Sequence, residues 1–127
     1  MPPIASGIGA AWLRPERDIS ILEHIVSYCD QIEETIARFG DDYSVFCKDA
    51  IYRNATALCI LQIGELVGKL TEEFRVSHDA IPWRKIKAMR NIVAHSYGTV
   101  DSEITWEIIK EDIPDLKAYC KAVIDHA

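Results

Sequence analysis

Between Met89 and Gly98 the chain reads Met-Arg-Asn-Ile-Val-Ala-His-Ser-Tyr-Gly, gathering a guanidinium, an amide, an imidazole and a phenol in one short run. An α-helix repeats about every 3.6 residues, so Asn91 and His95, four apart, share a face. Arg90 stands about 140° around from His95 on an ideal helix and must reach back or meet a neighbouring surface. Gly98 is a natural stop, which puts His95 in or after the last turn. From Ala80 to Val100 there is one His and no Asp or Glu, too few ligands to assemble a catalytic metal. Ser96 adjoins His95, but no acid is marked to orient the ring as a hydrolase triad requires. No Gly-rich phosphate loop is present either. What remains is an arginine and a histidine acting without a metal or other cofactor.

That pair suits cleavage of RNA by its own 2′-hydroxyl. An imidazole titrates near pH 6.5, so His95 can take the 2′-OH proton or give one to the leaving 5′-oxygen near neutrality. Arg90 can hold the phosphate through its forked donors and offset charge building on the non-bridging oxygens. Asn91 either fixes the ring tautomer, bonds the phosphate, or is a plain helix-surface amide. Such chemistry leaves a 2′,3′-cyclic phosphate and excludes DNA. It also calls for a base and an acid together, which a symmetric homodimer pairing two of these segments would supply.

The elements that must position these groups read as helices throughout. Residues 1–15 are rich in Pro, Gly and Ala and read as an N-terminal arm, with residues 16–127 as one helical domain. Glu16 to Phe39 carries Ile19, Leu22, Ile25, Cys29, Ile32, Ile36 and Phe39 at three-and-four spacing, and Gly40 ends it. Asp41 and Asp42 supply a turn and a capping carboxylate before a short helical turn over Tyr43 to Cys47. Lys48 to Phe74 reads as one long central helix. Gly64 and Gly68 inside it each cost about 1 kcal/mol relative to Ala, so their small size must serve either a close helix crossing or the seating of Trp83 or Trp106. Glu65 either pairs with Lys69 one turn on or helps orient Arg90 or His95. Arg75 to Ala80 is a polar connector in which His78 is solvated. Pro82 opens the next helix, whose inner stripe is Trp83, Ile86, Met89 with Arg90 beside it, and Val93. After Gly98, Asp101 or Ser102 caps a helix carrying Trp106, Ile108, Ile109 and Ile113; Glu103, Glu107 and Glu111 form its acidic face, and Pro114 breaks or kinks it before a last helix. There is no internal repeat and no strand-period alternation.

At 127 residues the chain suits one domain, and 49% hydrophobic content favours a folded one. The longest apolar runs fall well short of the ~18 residues of a membrane span, and no signal sequence opens the chain, which reads as soluble and cytoplasmic. Cys29, Cys47, Cys59 and Cys120 match no zinc or redox spacing and read as free thiols. Net charge is −6, yet Arg84, Lys85, Lys87 and Arg90 give the Ala80 to Val100 segment +4, leaving ten basic against twenty acidic residues elsewhere. A local cationic site on an acidic body suits a small phosphate footprint and a second surface that attracts a basic partner. Arg84, Lys85 and Lys87 are the candidate RNA contacts, or are simply solvated.

Arg90-x-x-x-x-His95-x-Tyr97 resembles the signature of HEPN-domain ribonucleases, and most closely that of HepT toxins from HepT/MntA (HEPN/MNT, type VII) toxin-antitoxin pairs. Ile63-Gly64-Glu65, Ile81-Pro82-Trp83 and the Asp101 to Trp106 run extend the likeness over roughly Asp18 to Val123. The resemblance implies an all-α antiparallel HEPN bundle of four to five helices, a homodimer with its active cleft at the subunit interface, and an RNA substrate such as tRNA or mRNA. It further implies a partner, an MNT-type nucleotidyltransferase antitoxin that transfers AMP from ATP onto Tyr97, in a complex that can exceed a dimer. The rival reading is a non-catalytic HEPN module that binds a nucleotide or serves as the partner subunit of a nucleotidyltransferase.

Overall fold

The structure, a computed structural model, describes the backbone of residues 4–95 and 102–127 and the side chains of residues 16–94 and 102–127. Among them the elements are all helical: α1 (Ile4–Phe39), α2 (Tyr43–Lys48), α3 (Ala50–Lys69), α4 (Glu72–Ser77), α5 (Trp83–His95), α6 (Ser102–Glu107), a π-helical turn (Ile108–Asp112) and α7 (Ile113–Asp125). No helix among these residues is long and apolar enough to cross a membrane. The all-α class read from the periodicity is the class observed.

Apolar spacing decides which face each helix buries. α1 contributes Leu22, Ile25, Cys29 and Ile32, and α3 contributes Tyr52, Ile60, Ile63 and Val67. From α5 come Trp83, Ile86, Met89 and Val93, and from the C-terminal helices Ile109, Ile113, Leu116 and Cys120. Each such side chain gains about 1.5–3 kcal/mol on leaving water, enough in sum to offset the entropy of ordering the chain. α3 packs against both α1 and α5, and α7 packs against α1. Burial pushes the Cys29 and Cys120 thiols up, Cys120 to about 12, so both serve as small apolar core groups.

Local chemistry sets the corners. Gly40, at φ 117°, ends the core part of α1 in the left-handed region that a side chain resists. Asp42 caps α2, accepting from Ser44 N at 2.8 Å and Ser44 Oγ at 2.6 Å, and those bonds hold its carboxyl below the usual range. Asp49 caps α3 by accepting from Ile51 N and Tyr52 N. Tyr52 stacks on Phe39 at 5.0 Å, meets Phe46 edge-on at 5.0 Å and donates its hydroxyl to the Gly40 carbonyl. Trp106 closes this aromatic corner 5.2 Å from Phe46.

Three features differ from the periodicity reading. α1 starts at Ile4, so the backbone of residues 4–15 continues a helix already anchored by its core half, and propagation needs little once a nucleus exists. The side chains of that N-terminal stretch lie outside the described residues. Second, the helix expected over Lys48 to Phe74 divides: Leu70 turns extended at ψ 145°, and Thr71 caps a new helix by accepting from Phe74 N. The cause is remote in sequence. Asp18 of α1, 3% exposed, accepts from Thr71 N at 3.0 Å and from Thr71 Oγ1 at 2.8 Å, satisfying groups that a continuous helix would have used internally. Third, the chain passes Pro114 through a π turn instead of a break. Ile113 N–H bonds to Ile108 O, five residues back, because the proline ring supplies no donor and crowds the preceding turn. The wider turn directs Lys110 onto Asp41 at 2.7 Å.

Asp18→Ala strands the Thr71 donors at a buried joint. Unfolding by urea is expected to show a loss of about 1.5–3 kcal/mol, the range for hydrogen bonds to a charged group, with Asp18→Asn losing less.

Candidate active site

The site grows from the crossing of α3 and α5, which run antiparallel: Gly64 faces Arg90 and Gly68 faces Lys87. A Cβ added at Gly64 would lie 2.5 Å from Arg90 Cβ and 3.1 Å from Arg90 Cγ. Gly64 is therefore small because the stem of Arg90 lies directly on the backbone of α3. Trp83 packs instead with Phe74 and Tyr119, and Trp106 sits in the aromatic corner, so the close helix crossing is the reading that holds for Gly64.

From this seat the guanidinium emerges beside Glu65. Arg90 Nε meets Glu65 Oε1 at 2.6 Å, and Arg90 Nη1 donates to Asn91 Oδ1 at 3.3 Å. Glu65 thus turns to Arg90, one helix away, and not to Lys69 in its own helix. The two side chains are 42% and 52% exposed, so the pair contributes about 0–1 kcal/mol to stability; its consequence is orientation. One edge of the guanidinium is occupied, and among the described residues Nη2 makes no hydrogen bond, which leaves forked donors for an anion.

Arg90, Asn91 and Glu65, three of the residues singled out by their chemistry, therefore form one cluster. The backbone of His95 closes α5. Its side chain, and all of Tyr97, lie outside the described residues. The three cations expected to meet RNA divide between two sides of α5. Lys85 reaches Asp112 at 3.2 Å. Arg84 and Lys87 line a cleft of about 520 Å³ between α4 and α5, together with Arg75, Val76, Glu72 and Asp79. Arg75, which the sequence places in a polar connector, joins them because it lies on α4. A larger and more apolar cavity of about 700 Å³, on the other face of α4 among Phe74, His78, Val123 and His126, contains none of the candidate site residues. His78, expected to be solvated, is partly covered: its ring stacks on Phe74 at 4.0 Å, and its carbonyl accepts from Trp83 Nε1 at 2.8 Å.

Beside the cluster runs an apolar strip. Ile51 and Leu58 are 70% and 57% exposed, and with Glu65 they stand seven apart on α3, on one face of the helix. Ile92 on α5 is exposed as well.

The chain matches the family model "Ribonuclease HepT-like" over residues 25–123. It is 35% identical to "Putative RNase TTE0752" of Caldanaerobacter subterraneus, over 81% of this chain and 90% of that protein. It is 40% identical to "Gamma-glutamylcyclotransferase and putative RNase MJ0434" of Methanocaldococcus jannaschii over 80% of this chain, which spans 45% of that longer protein. With "Probable ribonuclease HepT" of Thermococcus cleftensis it shares 30% identity over 71% of this chain and 86% of the relative. No solved structure matches the chain.

The two glycines give opposite expectations. Gly64→Ala must force α5 outward and is expected to cost about 1–3 kcal/mol, as overpacked contacts do. Gly68→Ala would meet only the mobile end of Lys87, with Nζ 3.6 Å away. It is expected to stabilise by up to about 1 kcal/mol through helix propensity, and chemical denaturation of the two variants separates them.

Proposed function

Because the chain belongs to the family of HepT-like ribonucleases, we propose that it is a cytoplasmic, metal-independent endoribonuclease, the toxin of a HEPN/MNT toxin-antitoxin pair. The observation that carries this reading is the seating of Arg90: the stem fixed on Gly64, Nε held by Glu65 and Nη1 donating to Asn91. A guanidinium already oriented loses little freedom on binding a phosphate, and its charge offsets what develops on the non-bridging oxygens in the transition state. His95, five residues further along α5, is the proton-transfer group. It removes the proton from the 2′-hydroxyl, whose oxygen attacks the adjacent phosphorus, and the P–O5′ bond breaks as the leaving oxygen is protonated. The product ends in a 2′,3′-cyclic phosphate. Glu65 and Asn91 act through Arg90 as positioning residues.

The reaction needs a second proton-transfer group, and a homodimer supplies it. The exposed strip of Ile51 and Leu58, leading to Glu65 on the same face of α3, supports a subunit contact that ends at the cluster. Two copies would then contribute two arginines and two histidines to one cleft. Control by the partner, as the family resemblance implies, acts through Tyr97, two residues beyond His95 in the sequence. AMP transferred from ATP onto its hydroxyl adds bulk and negative charge where the RNA phosphate must enter, which is a direct route to silencing.

Cleavage of RNA in EDTA, with cyclic phosphate ends, is the expected activity. His95→Ala is expected to lower the rate by about 10²–10⁴, the usual worth of general acid-base help, with secondary structure retained. Leu58→Asp is expected to give an inactive monomer by sedimentation. Cleavage by His95→Ala at the wild-type rate would sink the mechanism, and absence of any cleavage by the wild type would favour a non-catalytic nucleotide-binding or partner subunit.

Incubation with an MNT-type nucleotidyltransferase and Mg-ATP is expected to add adenylate mass to the peptide carrying Tyr97. An unmodified peptide, in a reaction where the enzyme adenylates itself or another substrate, removes the silencing scheme and leaves the nuclease chemistry standing.

A further inference from the structure

The cations of α5 and α4 are sorted in a way that the cluster at Arg90 does not require. On α5, Lys85 lies 3.2 Å from the Asp112 carboxylate. Arg75, Arg84 and Lys87 have no carboxylate at ion-pair distance among the described residues, although Glu72 and Asp79 line the same cleft. On an ideal helix Lys87 stands about 60° around from Arg90 and Arg84 about 120°, on the same side, whereas Lys85 falls on the opposite side toward Asp112. Lys87 lies back over Gly68 of α3, one turn from the seat of Arg90 on Gly64, so its ammonium stays near α3. Arg84 and Lys87 then share the cleft with Arg75, which α4 brings in from the other wall.

From this arrangement we infer that Arg90, Lys87, Arg84 and Arg75 form a continuous phosphate track, on which the single-stranded RNA flanking the scissile phosphate lies as it crosses from α5 onto α4. The inference rests on the proposed reaction at Arg90 and adds the path of its substrate. Three residues of helix advance about 4.5 Å along the axis, so successive cations on α5 are spaced on the scale of successive charges along a nucleic-acid strand. A single row of cations in a cleft matches one strand, since a duplex presents two phosphate rows. The cleft also offers apolar surface in Val76, 69% exposed, against which an unpaired base can rest. Glu72 and Asp79 keep the net charge of the cleft small, so affinity is modest and depends on salt.

The test uses a fluorescein-labelled 12-nucleotide 2′-O-methyl RNA, whose capped 2′-oxygens cannot attack, so that binding is read without cleavage. Fluorescence anisotropy between 50 and 200 mM salt gives log Kd against log salt for the wild type and for the triple variant Arg75→Gln, Arg84→Gln, Lys87→Gln. Each phosphate contact on a single strand contributes about 0.7 to that slope, so the triple variant is expected to be shallower by about 2 and weaker by about tenfold or more. Lys48→Gln, at the end of α2 ahead of the start of α3, is the control expected to keep the wild-type slope. The three substituted side chains lie outside the buried core, and far-UV circular dichroism checks that the variant folds. A folded triple variant with the wild-type slope overturns the track and leaves the cleft to an acidic protein surface. A wild type that binds this oligomer in the expected way but cuts no unmodified RNA sinks the nuclease reading and not the track.

Discussion

The absence of a side chain at Gly64 governs how the rest of the site can be built. With any Cβ there, α3 and α5 could not approach so closely that the stem of Arg90 lies on the backbone of its neighbour. Glycine inside a helix costs about 1 kcal/mol, and the close approach offsets this as α3 and α5 pack together with Ile63, Val67, Ile86, Met89 and Val93 all buried. The same contact removes freedom from a long side chain whose usefulness depends on where its donors point. Packing and chemistry thus share one residue.

Two carboxylates illustrate how environment sets role. Asp18 is buried and joins α1 to the start of α4 through both oxygens, so its bonds hold the fold. Glu65 is half exposed and holds one guanidinium, so screening by water makes its contribution to stability small and leaves orientation as its effect. Neither role follows from the residue type. Each follows from how much water reaches the pair.

The interruptions between helices matter as much as the helices. At Leu70–Thr71 the chain leaves α3 and re-enters a helix at an angle that brings Arg75 to the cleft holding Arg84 and Lys87. At the π turn an additional residue is absorbed ahead of Pro114, and Lys110 finds Asp41 across the aromatic corner. The acidic remainder of the protein is largely engaged or solvated. Among the described residues, Arg75 of α4 and Arg84 and Lys87 of α5 share one cleft and have no carboxylate at ion-pair distance.

Sequence alone determined the helical class, the buried stripes and the family. Three-and-four spacing of apolar residues survives whatever the helices pack against, and the Arg90 to Tyr97 motif with its ordered landmarks is a property of the string itself. Local caps were legible for the same reason: Asp42 and Gly40 act on neighbours within a few residues. Tertiary structure alone decided what lies between helices. The division of the central helix depends on Asp18, fifty-three positions before Thr71. The partner of Glu65 is an arginine in another helix, where spacing within its own helix offered Lys69. The reason for Gly64 is likewise visible only when the facing residue is known, and Arg75 belongs to the cationic cleft only once α4 has been turned. Periodicity reports which face of a helix avoids water. Which atoms meet across two such faces depends on distances that close only when the whole chain has folded.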